Sequence, residues 1–165
     1  MRRFPIALYV FSTIAALAYV QATTPRLPAI VATHFGGEGV ANGWMTRDGY
    51  RAFILLFVAV VPAVVVLAIG LLPRALPNFT NIPRRDYWLA PERRQTTFDY
   101  LLAQAGWFGC LIVWFIAGIH YLLLRANATS PAHLPAVPFV VLLAAFLVGL
   151  LAWVAVMHRR FRAAT

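Results

Sequence analysis

The chain is 165 residues long, 62% hydrophobic and 12% charged, with a mean hydropathy of +0.76, far more apolar than a soluble domain. All 14 basic residues are arginine against five acids, giving a formal charge of +9. The arginines flank apolar runs without a recognition-helix or zinc-finger pattern, which argues against a nucleic-acid partner and for anionic lipid headgroups.

The first apolar run covers residues 4–22 behind Arg2 and Arg3 and predicts a span. Its end, Val20-Gln21-Ala22, resembles a signal-peptidase site, so cleavage of residues 1–22 is the alternative to a retained helix. A polar stretch follows, with glycines at 36, 37, 39 and 43 and an Asn42-Gly43 turn signal, and reads as an ordered loop. The second run, residues 52–72, holds Pro62, which predicts a kink, and Pro73 marks its end.

The middle stretch, from Arg74 to Tyr100, carries five arginines and three acids. A third span is expected over residues 101–124, with the lone cysteine, Cys110, inside it as a small packing residue. One cysteine excludes an internal disulfide and a cysteine metal cluster. A proline-bearing connection (Pro131, Pro135, Pro138) leads to a fourth span over 139–157 and the tail His158-Arg159-Arg160-Phe161-Arg162.

The expected fold is therefore an all-α membrane protein, a four-helix transmembrane bundle forming one integral membrane domain over residues 1–165, with structured loops after helices 1 and 2. Ala103, Gly106, Gly118 and Gly149 are the small residues expected at helix contacts. Two arginines at the N-terminus, five in the middle loop and three in the tail stand against three and one in the other loops, which puts both termini and the middle loop in the cytoplasm of a bacterial inner membrane. Trp44, Tyr50, Trp88 and Tyr121 fall near span ends, where aromatic rings favour the headgroup zone.

This topology places His34, Glu38, His120 and His133 on the outer side. Imidazoles and a carboxylate suit a divalent metal such as zinc; the spacing matches no ligand motif, and interfacial histidines bonded to backbone or water are the plainer reading. His34 and Glu38 are four apart, but the glycines between them argue against one helix face. In the middle loop, Tyr87, Trp88, Glu92 and Arg93 combine aromatic and charged groups able to contact a soluble protein partner, a peptide or anionic headgroups, while positive-inside bias alone accounts for the arginines. No nucleophile elbow, phosphate-binding loop or His-Glu-x-x-His helix is present, so nothing supports an enzyme.

The first-loop string Leu27-Pro28, His34-Phe35-Gly36-Gly37-Glu38-Gly39, Asn42-Gly43-Trp44 resembles the DUF1648 family, which overlaps the N-terminal part of SdpI-type immunity proteins. The likeness covers residues 1 to about 70, and Asn81-Ile82-Pro83, Tyr87-Trp88 and Pro91-Glu92-Arg93-Arg94 extend it. The resemblance implies an outer loop shaped by Leu27, Pro28, His34, Phe35, Gly39, Gly43 and Trp44, with Phe35 and Trp44 as apolar anchors. It also implies an inner one carrying Tyr87, Trp88, Pro91, Glu92 and Arg93. The expected function is a non-enzymatic membrane binding protein, a sensor or immunity-like factor with a peptide ligand outside and a protein partner inside. The alternative is a metal-dependent membrane enzyme or small-solute carrier built on the outer histidines. No cofactor is expected, and oligomeric state stays open.

Overall fold

A computed structural model describes residues 4–162; Arg2 and Arg3, counted above for orientation, lie outside the described residues. Helix α1 (Phe4–Thr23) ends in a 3-10 turn over Thr24–Arg26. Pro5 sits in its first turn, where a missing N–H costs nothing. Its buried residues, Pro5, Tyr9, Ser12, Ala16, Val20 and Thr23, recur every three or four positions and form one stripe.

The first loop is not irregular chain. Strands β1 (Ile30–Phe35) and β2 (Ala41–Thr46) pair antiparallel, Ala32 opposite Trp44, with a register shift around Thr33. Gly39 adopts a left-handed φ of 78°, and a Cβ there would stand 2.6 Å from the Leu134 carbonyl oxygen, so both conformation and space require glycine. The sequence reading missed the strands because glycine and polar residues broke any clear alternation.

Helix α2 (Arg47–Val66) starts at Thr46, whose hydroxyl accepts from the Gly49 N–H, with Asp48 on the positive end of the helix dipole. It runs helically through Pro62. The departure from regular geometry comes later, as a π turn over Leu67–Leu71 leading into α3 (Leu72–Ala75). Pro73 therefore lies inside the helical run and does not end it; the wide turn just upstream shifts the hydrogen-bond ladder where proline cannot donate. Gly70 within that turn lets the helix carrying Leu102 approach, since a Cβ would meet Leu102 Cδ1 at 2.8 Å.

A 3-10 turn (Pro77–Phe79) and the short α4 (Arg85–Trp88) precede α5 (Pro91–Ala126). This helix begins ten residues before the apolar run expected from sequence. Pro91 and Glu92 suit a first turn, and the Gln95 amide donates to Asp99 four residues on. At about 1.5 Å per residue its 36 residues run about 54 Å, well past a hydrocarbon layer of about 30 Å. Helix α6 (Ala136–Arg162) completes the fold.

Four helices, spanning Phe4–Arg26, Arg47–Ala75, Pro91–Ala126 and Ala136–Arg162, are long and apolar enough to cross a membrane. That is the layout of a multi-pass membrane protein. Helices α1, α2 and α5 pack on one another around Val20, Tyr50, Ile54, Val58, Ala105, Val113 and Ile116. Close approach depends on small residues: a Cβ at Gly106 would stand 2.7 Å from the Pro5 backbone, and one at Gly109 2.7 Å from Tyr9 and Val66. Helix α6 lies along α5, with Gly118 under Leu142 and Gly149 under Leu111. None of its most apolar 18-residue window is buried. Ala103, also expected at a contact, is only half-buried.

Candidate functional site

His120 is the largest fully buried side chain, 0% exposed. Its Nε2 lies 2.8 Å from Thr23 Oγ1 on α1, and its Nδ1 lies 2.8 Å from the Tyr50 hydroxyl on α2. Proton assignment follows from counting donors. The Thr23 hydroxyl has one hydrogen and donates it to the Tyr19 carbonyl at 2.7 Å, so it accepts from Nε2–H. Nδ1 is then the acceptor, and Tyr50 donates to it. A neutral imidazole satisfies every group. The Tyr50 ring stacks on the imidazole at 5.8 Å and 12°, and Tyr19 meets it edge-on at 5.5 Å. One histidine on α5 thus ties together all three core helices.

Tyr50, near the start of the second span, is 3% exposed and committed to His120. Its other side lines an apolar cavity of about 430 Å³ between α2, α5 and α6. Phe53, Phe57, Phe108, Phe115 and Phe146 supply a third of the lining residues, aliphatic side chains most of the rest, and Thr33 and Met45 of the hairpin line one end. The volume falls in the range typical of ligand pockets, about 300–1,000 Å³.

The hairpin above this cavity is latched to the second half of the chain. The Asn127 side-chain amide pairs with both backbone groups of Ala32, accepting from its N–H at 2.8 Å and donating to its carbonyl at 2.9 Å. His133 Nε2–H donates to the Glu38 carbonyl at 3.0 Å, and the Leu134 N–H donates to the Gly39 carbonyl. On the α2 side, the Arg47 guanidinium donates to the Leu27 carbonyl and Arg51 to the Gln21 side chain. The loop is a fixed lid.

On this lid, His34 is exposed and its Nδ1–H donates to the Asn42 side-chain oxygen. Phe35 is half-buried, lining a small cavity of about 190 Å³ with Leu134 and Phe139. Glu38 points to solvent, and Trp44 is 57% exposed. Trp44 is thus a presented surface and not an anchor against the bundle, whereas Phe35 does pack inward. The four residues considered for a metal are not gathered: both nitrogens of His120 are engaged inside the bundle, His34 and His133 bond separate hairpin groups, and no group of three or more His, Cys, Asp or Glu among the described residues could hold an ion.

At the opposite end, Trp88 is buried, 6% exposed. Its indole N–H donates to the Phe161 carbonyl at 3.3 Å, its own carbonyl accepts from Thr97, and its ring meets Phe161 edge-on. Arg160 caps the indole, its guanidinium 4.6 Å from the ring centroid. Trp88 therefore clamps the middle loop to the end of α6 and presents no face to a partner. Tyr87 is 42% exposed beneath the Arg93 guanidinium at 4.1 Å, and Glu92 is exposed. These three form the accessible patch.

Thr23 and Asn127 were not singled out by the sequence reading, and Tyr50 was noted only as a span-end aromatic. The available signal was His120 itself: a buried imidazole needs two partners, and the hydroxyls that reach it lie 97 and 70 residues away in sequence.

Residues 11–61 match the family described as Domain of unknown function (DUF1648), just under a third of the chain. The match takes in most of α1, the whole hairpin and most of α2. No curated protein and no solved structure matches.

Proposed function

We propose, for a chain whose residues 11–61 match the DUF1648 family, a non-enzymatic binding protein of a bacterial inner membrane. In this reading both termini are cytoplasmic and the hairpin faces outward. The protein receives an apolar ligand on the hairpin side, with Trp44, His34 and Phe35 as the first surface met and the phenylalanine-lined cavity as the receiving space. Tyr87, Glu92 and Arg93 form the inner contact surface for a soluble partner, which makes a sensor or immunity-like role the natural use of the two surfaces.

The cavity carries the reading. A half-open, phenylalanine-rich cavity roofed by a latched hairpin has the apolar lining that ligand pockets favour. Charge is absent from that wall, which points to binding by shape and burial. The carrier and metal-enzyme alternative lacks a comparable observation, since its four residues stand apart.

Full-length protein in nanodiscs, irradiated with a diazirine-bearing palmitate analogue, tests the reading. Adducts mapped by mass spectrometry should concentrate on the α2 and α5 segments lining the cavity. Ile116→Trp, placing an indole in that space, should reduce them to background, while Trp44→Ala should slow labelling without affecting membrane insertion. Even labelling along all four helices, unchanged in Ile116→Trp, would sink the cavity reading.

A further inference from the structure

A second cavity, of about 220 Å³, lies toward the opposite end of the spans, between the π turn after α2 and α6. Its walls come from the π turn, α3, the connection over residues 76–82, α5 and α6, with Ile69, Leu72, Leu101 and Met157 among them. The stacked pair Phe108 and Trp153, 4.6 Å apart, stands between the two cavities, Phe108 lining the first and Trp153 the second.

Thr80 also lines this pocket. It is 8% exposed, and its Oγ1 is buried without a hydrogen-bond partner. A hydroxyl held out of water with nothing to bond costs free energy, and native proteins rarely leave one so. The indole N–H of Trp153, by contrast, is already committed to the Gln104 carbonyl.

The rim has the composition of a membrane interface. Phe79 is 80% exposed, and Leu72 and Leu76 are nearly half-exposed. Beside them, the Arg85 guanidinium donates to the Asn78 carbonyl, one residue before Phe79, and Arg74 pairs with Asp99 across the α3–α5 gap. Arg85 also pairs loosely with the exposed Asp86, 3.6 Å away; apolar side chains next to a guanidinium match the tail and the phosphate of a phospholipid.

We propose that this pocket is a specific phospholipid site. One acyl chain fills the apolar space, Thr80 turns its buried hydroxyl into the pocket to donate to an ester oxygen, and the phosphate faces Arg85. The proposal requires only that the protein sits in a bilayer; it does not depend on what the hairpin side binds.

Native mass spectrometry of full-length protein in detergent, titrated with phosphatidylglycerol, tests it. Wild type should retain one lipid that survives collisional activation. Thr80→Val, nearly isosteric, should weaken that retention about tenfold, the effect of one lost hydrogen bond. Arg85→Gln should weaken it too, while phosphatidylglycerol retention in Ile116→Trp stays at the wild-type level. The lipid-free Thr80→Val protein should melt no lower than wild type, because an unpaired hydroxyl has been removed, and this separates lipid loss from misfolding. Equal retention in Thr80→Val and wild type, or lipid adducts that rise in step with concentration without a retained first one, would overturn the site.

Discussion

His120 shows how much one buried polar side chain can organise. Its two ring nitrogens reach hydroxyls on two other helices, and the hydrogen count leaves no group unsatisfied. His120→Leu keeps bulk but strands the Tyr50 hydroxyl against the apolar cavity wall. Such a loss costs about 1–2 kcal/mol, expected as a lower thermal midpoint in detergent. Tyr50→Phe leaves Nδ1 a buried acceptor without its donor and should cost a similar amount, about 1–2 kcal/mol; an unchanged midpoint in Tyr50→Phe would contradict the assigned proton order. The sequence marked His120 as a residue needing explanation, but its partners were hidden because they belong to other helices. At Trp88 the reverse happened: an aromatic beside arginines looked like a contact surface, and the carbonyl that claims it, Phe161, lies 73 residues onward.

Among elements, the spans were legible and the connections were not. Twenty-residue apolar runs fix helix position through the bilayer's demand that backbone groups be satisfied internally, and all four helices cover the expected centres. Hairpin pairing depends on register, bulge and a distant latch, none of which leaves a local periodic trace. Asn127 is that latch, its side chain mimicking a neighbouring strand toward Ala32. In Asn127→Ala the Ala32 amide loses its acceptor, so its hydrogen exchange should accelerate by about tenfold or more, as one hydrogen bond's loss implies. Unchanged protection at Ala32 would mean that the latch resides in the His133 and Leu134 contacts instead. The early start of α5 was unreadable for a related reason: its first ten residues are polar and carry the helix by capping and side-chain pairing, not by apolar character.

At the scale of the molecule, the arginine count and the fold make a joint prediction about orientation. The hairpin and the Tyr87, Glu92 and Arg93 patch lie at opposite ends of the spans. The native cysteine, Cys110, is buried in α5, so single cysteines placed elsewhere report cleanly. Glu38→Cys should react with a membrane-impermeant maleimide on intact cells, and Glu92→Cys only after permeabilisation. The opposite pattern would invert the assigned sides and with them the placement of ligand and partner. The candidate site was legible only in outline: the first-loop residues do form the lid, but the cavity beneath it arises from phenylalanines on α2, α5 and α6 that each look like ordinary span residues in sequence.

Because α6 rests on α5 and on Trp88 of α4, whereas α1, α2 and α5 interlock around His120, the order of synthesis has a structural meaning. Once α5 has left the translocon, every member of the histidine knot is present, and the core can close before the last helix is made. The final helix therefore arrives at a finished surface and is laid along it, completing the groove walls in the same step that brings Phe161 to the waiting indole of Trp88.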